Sequence, residues 1–312
     1  MPLMESAERT SAFRRFAIPP AASVAGVSVT PIDPADLDDR EGYDPKFLGT
    51  EFTIPLPKLN AVQKQDAARL TGTQKIELKY EHFSVIQSRT RRMCYFSACN
   101  LDGNTSKKVP RSNMWRFDGR IYTDYQILEE CYGNADEDMF SRGHMTRRED
   151  PVHGAIARAR VAEKDTFTVT NAVPQMQGHN SPVWLGLEDY MLKNSRKDRQ
   201  QVSVFTGPVF KKNDPVLLGV KIPITFWKIV AFIHDDTGRL AAAAYRDSQA
   251  EFVPSADVAF VFGKYKEMQV TVRAIEKMTG LKFGPLASAD VLASADANFA
   301  LHVERPQDVI LR

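Results

Sequence analysis

The chain has 312 residues, 43% hydrophobic and 26% charged, which suits a folded chain with a well-buried core and excludes a disordered one. Forty-one basic residues stand against 39 acidic ones, a net charge of +2, so recognition of phosphate would have to come from local patches rather than from the total. No apolar run approaches the roughly 20 residues of a membrane span.

Residues 1–45 read as an arm rich in Pro and Ala, with six prolines and no sustained periodicity. Within it Arg14-Arg15 and the short apolar run after them faintly resemble an export signal. Pro19-Pro20 makes a poor apolar centre for one, so a cytoplasmic location is expected. Residues 59–70 carry Leu59, Val62, Ala67 and Leu70 among polar residues and predict an amphipathic helix. Strands are predicted over 74–80, 83–86 and 93–98, with a turn at Leu101-Asp102-Gly103-Asn104. Cys94 and Cys99 lie five apart in one of these strands, on opposite faces if it is regular. With Cys131 they make neither a disulfide framework nor a zinc spacing.

A mostly irregular stretch follows, anchored by Trp115, Phe117, Ile121 and Tyr122. Thr166-Phe167-Thr168-Val169-Thr170 then predicts a strand, and 183–193 a helix with an apolar stripe. Strands are predicted at 202–205, 227–233 and 240–245, and a helix at 269–278 stopped by Gly280. Strands interleaved with few helices and long connections favour an α+β domain with a central antiparallel sheet. The expected division is an arm at 1–45, a domain at 46–290 and an extension at 291–312.

Three segments carry the chemistry: Ser141-Arg142-Gly143-His144-Met145, Thr170-Asn171-Ala172-Val173-Pro174-Gln175, and Asn180 with Trp184 and Glu188. Hydrolysis of a phosphodiester needs a base near neutrality, and His144 is the natural candidate. It needs a cation against the phosphate oxygens, and a hard ion such as Mg²⁺ takes oxygen ligands while keeping most of its waters. One amide oxygen, from Asn180, is enough to place it. Asn180, Trp184 and Glu188 are spaced to share one helix face, which puts Glu188 within reach of a metal-bound water. Arg142 can clamp phosphate. Each residue also has an ordinary reading: Asn180 as a helix cap, Asn171 as a turn residue, Glu188 as a solvated side chain, Arg142 in a surface ion pair.

Taken together, these segments resemble the DNA/RNA non-specific endonuclease family, the ββα-metal group that includes endonuclease G. The family motif is Asp-Arg-Gly-His, a strand ending in Asn-x-x-Pro-Gln, then Asn and Glu on a helix. Further blocks resemble the bacterial branch, among them Tyr80-Glu81-His82-Phe83, Phe205-Thr206-Gly207-Pro208 and Phe226-Trp227-Lys228. The resemblance implies His144 as general base, Asn180 as metal ligand, Glu188 as its partner through water, Asn171 as an orienting residue and Arg142 as a phosphate or scaffold contact. It also implies Mg²⁺ or Mn²⁺, cleavage of DNA and RNA to 5′-phosphate and 3′-hydroxyl ends, and a homodimer. One departure stands out: the family Asp is Ser141 here, which keeps a hydrogen-bonding oxygen and loses the charge.

Basic residues cluster around the motif. Eight lie between Ser88 and Arg120 against two acidic ones, and Arg147 and Arg148 follow His144. Such a patch suits backbone contacts without sequence readout. Arg111 and Arg116 both qualify as the phosphate contact that the family places before its His motif. The competing readings are a catalytically weak nucleic-acid binder, motivated by Ser141, and a phosphodiesterase for small nucleotides. An unselective nuclease endangers its own cell, so an inhibitor protein, assembly, or proteolytic removal of the arm is expected to restrain it. A role as an effector in bacterial defence would fit.

Overall fold

The computed structural model describes residues 27–127, 131–132, 140–176, 200–250, 268–294 and 300–302. The predicted helix at 183–193, and with it Asn180, Trp184 and Glu188, lies outside these residues.

The frame is an eight-stranded sheet. It is built from β2 (Glu77–Tyr80), β3 (Phe83–Gln87), β4 (Cys94–Asp102), β8 (Gln201–Val209), β11 (Thr225–Ile233), β12 (Leu240–Ser248), β13 (Met268–Val270) and β14 (Ala300–His302), in the spatial order β14-β13-β12-β11-β8-β4-β3-β2. Every neighbouring pair is antiparallel. The fold class is therefore α+β, with β8 and β11 longer than their apolar runs alone suggested. Alternation sorts the two faces: Trp227, Ile229 and Ala231 enter one core, while Phe226, Val230 and Phe232 serve the opposite face.

The first face is closed by two short helices. Helix α1 (Ala61–Asp66) begins at a capping box in which Asn60 and Gln63 bond each other's backbone N–H. It is shorter than the 59–70 predicted, because Ala67 leaves helical geometry and bridges to Ser88. Helix α3 (Val272–Thr279) is capped by Thr271 and stopped at Gly280, whose φ of +72° is left-handed. A Cβ there would also meet Asn60 Nδ2 at 2.7 Å, so glycine serves both the turn and the packing of α3 on α1. The helix predicted from 269 starts later because Met268–Val270 pairs with β12 as β13.

The other face carries the smaller elements. β6 (Phe140–His144) and β7 (Ala172–Met176) form an antiparallel pair, and β1 (Val27–Ile32) runs parallel to β5 (Trp115–Asp118). A further hairpin joins β9 (Val216–Leu217) to β10 (Val220–Lys221). Helix α2 (Ile156–Asp165) lies in the chain between β6 and β7. The strand predicted at 166–170 does not form. Thr166 and Thr168 turn their hydroxyls back onto the carbonyls of Glu163 and Asp165, and the chain continues as a 3-10 turn over Val169–Asn171. Local hydroxyl bonding has won over β propensity.

The bulge opposite Ile86 and Gln87 corrects a second expectation. Gln87 pairs with Cys94 and Ile86 with Phe96, so Tyr95 is extra and Cys94 packs in the same core as Cys99. All three cysteines are buried, and no disulfide joins them.

Residues 27–45, expected within the arm, are built into the fold. Ile32, Leu37 and Tyr43 are buried, and Arg40 donates to the carboxylate of Asp165 at 2.6 Å. No helix among the described residues is long and apolar enough to cross a membrane.

Candidate active site

His144 is the last residue of β6, paired across to Ala172. Its place depends first on Gly143, where a Cβ would lie 2.0 Å from the Gln175 side chain that covers the strand. It depends next on Asn171, which is fully buried. The Asn171 Oδ1 accepts from Thr146 N at 2.8 Å, and Nδ2 donates to the carbonyls of Thr146 and Thr166, both at 2.9 Å. The Asn171 carbonyl accepts from Met145 N at 2.9 Å. The side chain is thus committed to fastening the backbone just beyond His144 to the end of α2. Thr146 in turn meets Ser97 of the large sheet, hydroxyl to hydroxyl at 2.5 Å.

The imidazole is half-buried as a whole, while its Nε2 is fully buried and has no hydrogen-bond partner among the described residues. Trp115 lies against it at 4.6 Å between ring centroids, and Phe167 meets it edge-on at 4.9 Å. Burial pushes the His144 pKa from 6.5 down to about 3, with the cations Arg111 and Arg148 adding to the effect. The ring is therefore neutral at physiological pH and a weaker base than the near-neutral one expected from the sequence.

The arginines divide. Arg111 is exposed and stands over Phe167 at 5.3 Å, within electrostatic reach of His144. Arg148 shares that reach and pairs with Glu149 at 2.6 Å. Arg116 follows Trp115 on β5 and so points to the other side, where its charge acts on Asp165. Of the two candidates before the His motif, Arg111 is the one brought to His144. Arg142 is on the same strand face as His144 but stacks on Tyr132 at 4.6 Å. Arg147 is half-buried. Ser141 donates its hydroxyl to the Gln175 carbonyl at 3.0 Å, a cross-strand bond that leaves no carboxylate at that position.

Sequence reasoning missed Phe167 and Glu163 and assigned Trp115 only to the core. Glu163 is buried, holds Ser112 N at 2.8 Å and lies 3.6 Å from Arg148. Burial raises its pKa. Nothing in their local sequence marks these residues; they reach the site through the packing of α2. Among the described residues no three His, Cys, Asp or Glu side chains gather as a metal site. The expected metal donors, Asn180 and Glu188, fall outside those residues.

The family model for DNA/RNA non-specific endonucleases matches residues 64–290. The chain belongs to that family. It is 36% identical over 277 residues to the uncharacterized protein y4fB of Sinorhizobium fredii (strain NBRC 101917 / NGR234), covering 84% of this chain and 40% of that protein. It is 30% identical over 159 residues to the mitochondrial nuclease EXOG of Danio rerio, covering 47% of this chain and 43% of that one. With the Xenopus laevis EXOG the figures are 24% over 275 residues, 84% and 66%. The chain thus spans between two fifths and two thirds of the length of these relatives. The crystal structure of an EndoG/EndoGI complex superposes with a TM-score of 0.51 at 22% identity, covering 66% of this chain and 84% of that one, and shares the fold.

Proposed function

We propose that this protein is a divalent-metal-dependent nuclease that hydrolyses phosphodiester bonds in DNA and RNA, with His144 as the general base. The observation that carries the reading is the His144 ring at the end of β6, fastened by Asn171 just beyond it and within electrostatic reach of Arg111 and Arg148. A water deprotonated by His144 attacks phosphorus. Its oxygen bonds to phosphorus, its proton passes to His144, and the bond to the 3′ oxygen breaks, that oxygen taking a proton from solvent. Arg111 and Arg148 offset charge gathering on the phosphate, and Arg147 extends the cationic rim. Asn171 positions the base and touches no substrate. The metal, Mg²⁺ or Mn²⁺, would be held by Asn180 with Glu188 bonding through water, and would supply charge stabilisation to the phosphate oxygens. Family membership supports this reading, and so does the gathering of Arg111 and Arg148 around His144. Arg142, held against Tyr132, serves as scaffold.

We further propose regulation through the N-terminal arm read from the sequence, a second copy as partner, and restraint by an inhibitor protein, a mode of regulation that the EndoG/EndoGI complex shows for a protein of this fold. A cytoplasmic location and a defence role complete this reading.

A second reading rests on Ser141. With its hydroxyl spent on the Gln175 carbonyl and no carboxylate there, the protein would bind nucleic acid and cleave it slowly. The test is cleavage of supercoiled plasmid, single-stranded RNA and a dinucleotide with Mg²⁺, Mn²⁺ or EDTA, by wild type and His144→Ala. Metal-dependent loss of plasmid and RNA that falls by about 10³-fold in the variant supports the nuclease. DNA binding without cleavage supports the second reading, and preference for the dinucleotide would refute both.

A further inference from the structure

A general base must be held in orientation, and the usual device is a hydrogen bond from the ring's second nitrogen to a fixed acceptor. His144 is secured differently. Trp115 and Phe167 sit against it at 4.6 Å and 4.9 Å, inclined at 48° and 88°, and against each other at 5.2 Å. We propose that Trp115 is a positioning residue for this base: with Phe167 it grips the His144 imidazole and fixes its orientation by packing. This inference rests on the nuclease reading above.

The grip is built from separate elements. Trp115 is 8% exposed and comes from β5, which β1 braces at Val27. Phe167 is 1% exposed, and its carbonyl accepts from Arg116 N at 3.0 Å. Both rings are buried and hang from hydrogen-bonded backbone, which limits how far they can move away from the imidazole. The same walls select the neutral ring. Arg111 and Arg148 face it as cations, Glu163 on α2 is already held by Ser112 and Arg148, and β7 presents only Ala172 opposite. A charged imidazole would gain a cation–π contact with the indole. Lost hydration and two nearby like charges outweigh that gain.

The test uses full-length wild type, Trp115→Ala, Trp115→Phe and Phe167→Leu. The His144 imidazole is titrated by ¹⁵N NMR without metal, and kcat and KM are measured on plasmid with Mg²⁺. Wild-type His144 should titrate well below 6.5, and Trp115→Ala should raise that by about one unit or more. In Trp115→Ala kcat should fall by about thirtyfold with KM within about threefold, while Trp115→Phe keeps most of kcat. If Trp115→Ala does not fold, Phe167→Leu decides, with a smaller shift in the same direction. A folded Trp115→Ala, or failing that a folded Phe167→Leu, whose His144 titration and kcat are both unmoved would overturn the positioning role alone. A wild type that cleaves nothing with Mg²⁺ or Mn²⁺ would sink the nuclease reading, and the titration would still judge the packing.

Discussion

Asn171 offers a sharp test of how the site is held. Replacing it with Ala removes one acceptor and two donors at once. Thr146 N–H and the carbonyls of Thr146 and Thr166 then lose partners now at 2.8 to 2.9 Å, at a fully buried position. Each buried polar group left unpaired costs about 1–3 kcal/mol, so the three together cost roughly 3–9 kcal/mol. That is a large part of the roughly 5–15 kcal/mol that holds a domain. At roughly 2–4 °C per kcal/mol for a domain of this size, Tm should fall by at least about 6 °C and by as much as about 36 °C. Urea unfolding followed by tryptophan fluorescence measures the loss. Activity at a temperature where the variant is still folded should fall as well, because Thr146 lies two residues from His144. A variant within about 1 kcal/mol of wild type would show that the bonds count for little or that water replaces them, and the argument for Asn171 as a fastener would fail.

Arg40→Ala leaves the Asp165 carboxylate, 1% exposed, with the Glu81 N–H at 3.0 Å as its hydrogen bond among the described residues and Arg116 as its neighbouring cation. A loss of about 3 kcal/mol is expected in urea unfolding at pH 7, and a loss under about 0.5 kcal/mol would show the pair to be dispensable. Stability should also fall as pH drops below 6.5. Burial lowers the pKa of His144 to about 3, and burial with the neighbouring His82 lowers that of His153 to about 4. Both are neutral in the fold while the unfolded chain takes up protons from 6.5 downward, so stability is full above 6.5 and drains toward pH 4. Unfolding free energies extrapolated from urea at pH 7 and pH 5 should differ by roughly 3–4 kcal/mol, and equal values would contradict the burial of these rings.

What the sequence made legible followed from periodicity and from spacing. The long strands alternate cleanly, and Gly280 stops its helix where a C-cap glycine should. Helix α2 was invisible because its buried residues are Ala159, Ala162, Glu163 and Asp165, small or charged, with no apolar stripe to read. The stretch 166–170 misled because its threonines have high β propensity, yet here they cap the end of that unseen helix. Cys94 changed face because a bulge has no signature in alternation. At the site, His144 and Asn171 stood out by motif. Trp115 was noticed only as an apolar anchor, and Arg111 could not be separated from Arg116 until β5 fixed which way each points.

The parallel pairing of β1 with β5 also bears on where this protein can be cut. The family match begins at residue 64, yet β5 carries Trp115 and takes its outer hydrogen bonds from residues 27–32. A protein trimmed to the matched region would bare β5 as an open edge strand, a template for pairing with other chains, and would strand Asp165 without Arg40. Such a fragment should aggregate rather than act as a minimal enzyme, so the smallest autonomous unit starts at or before residue 27.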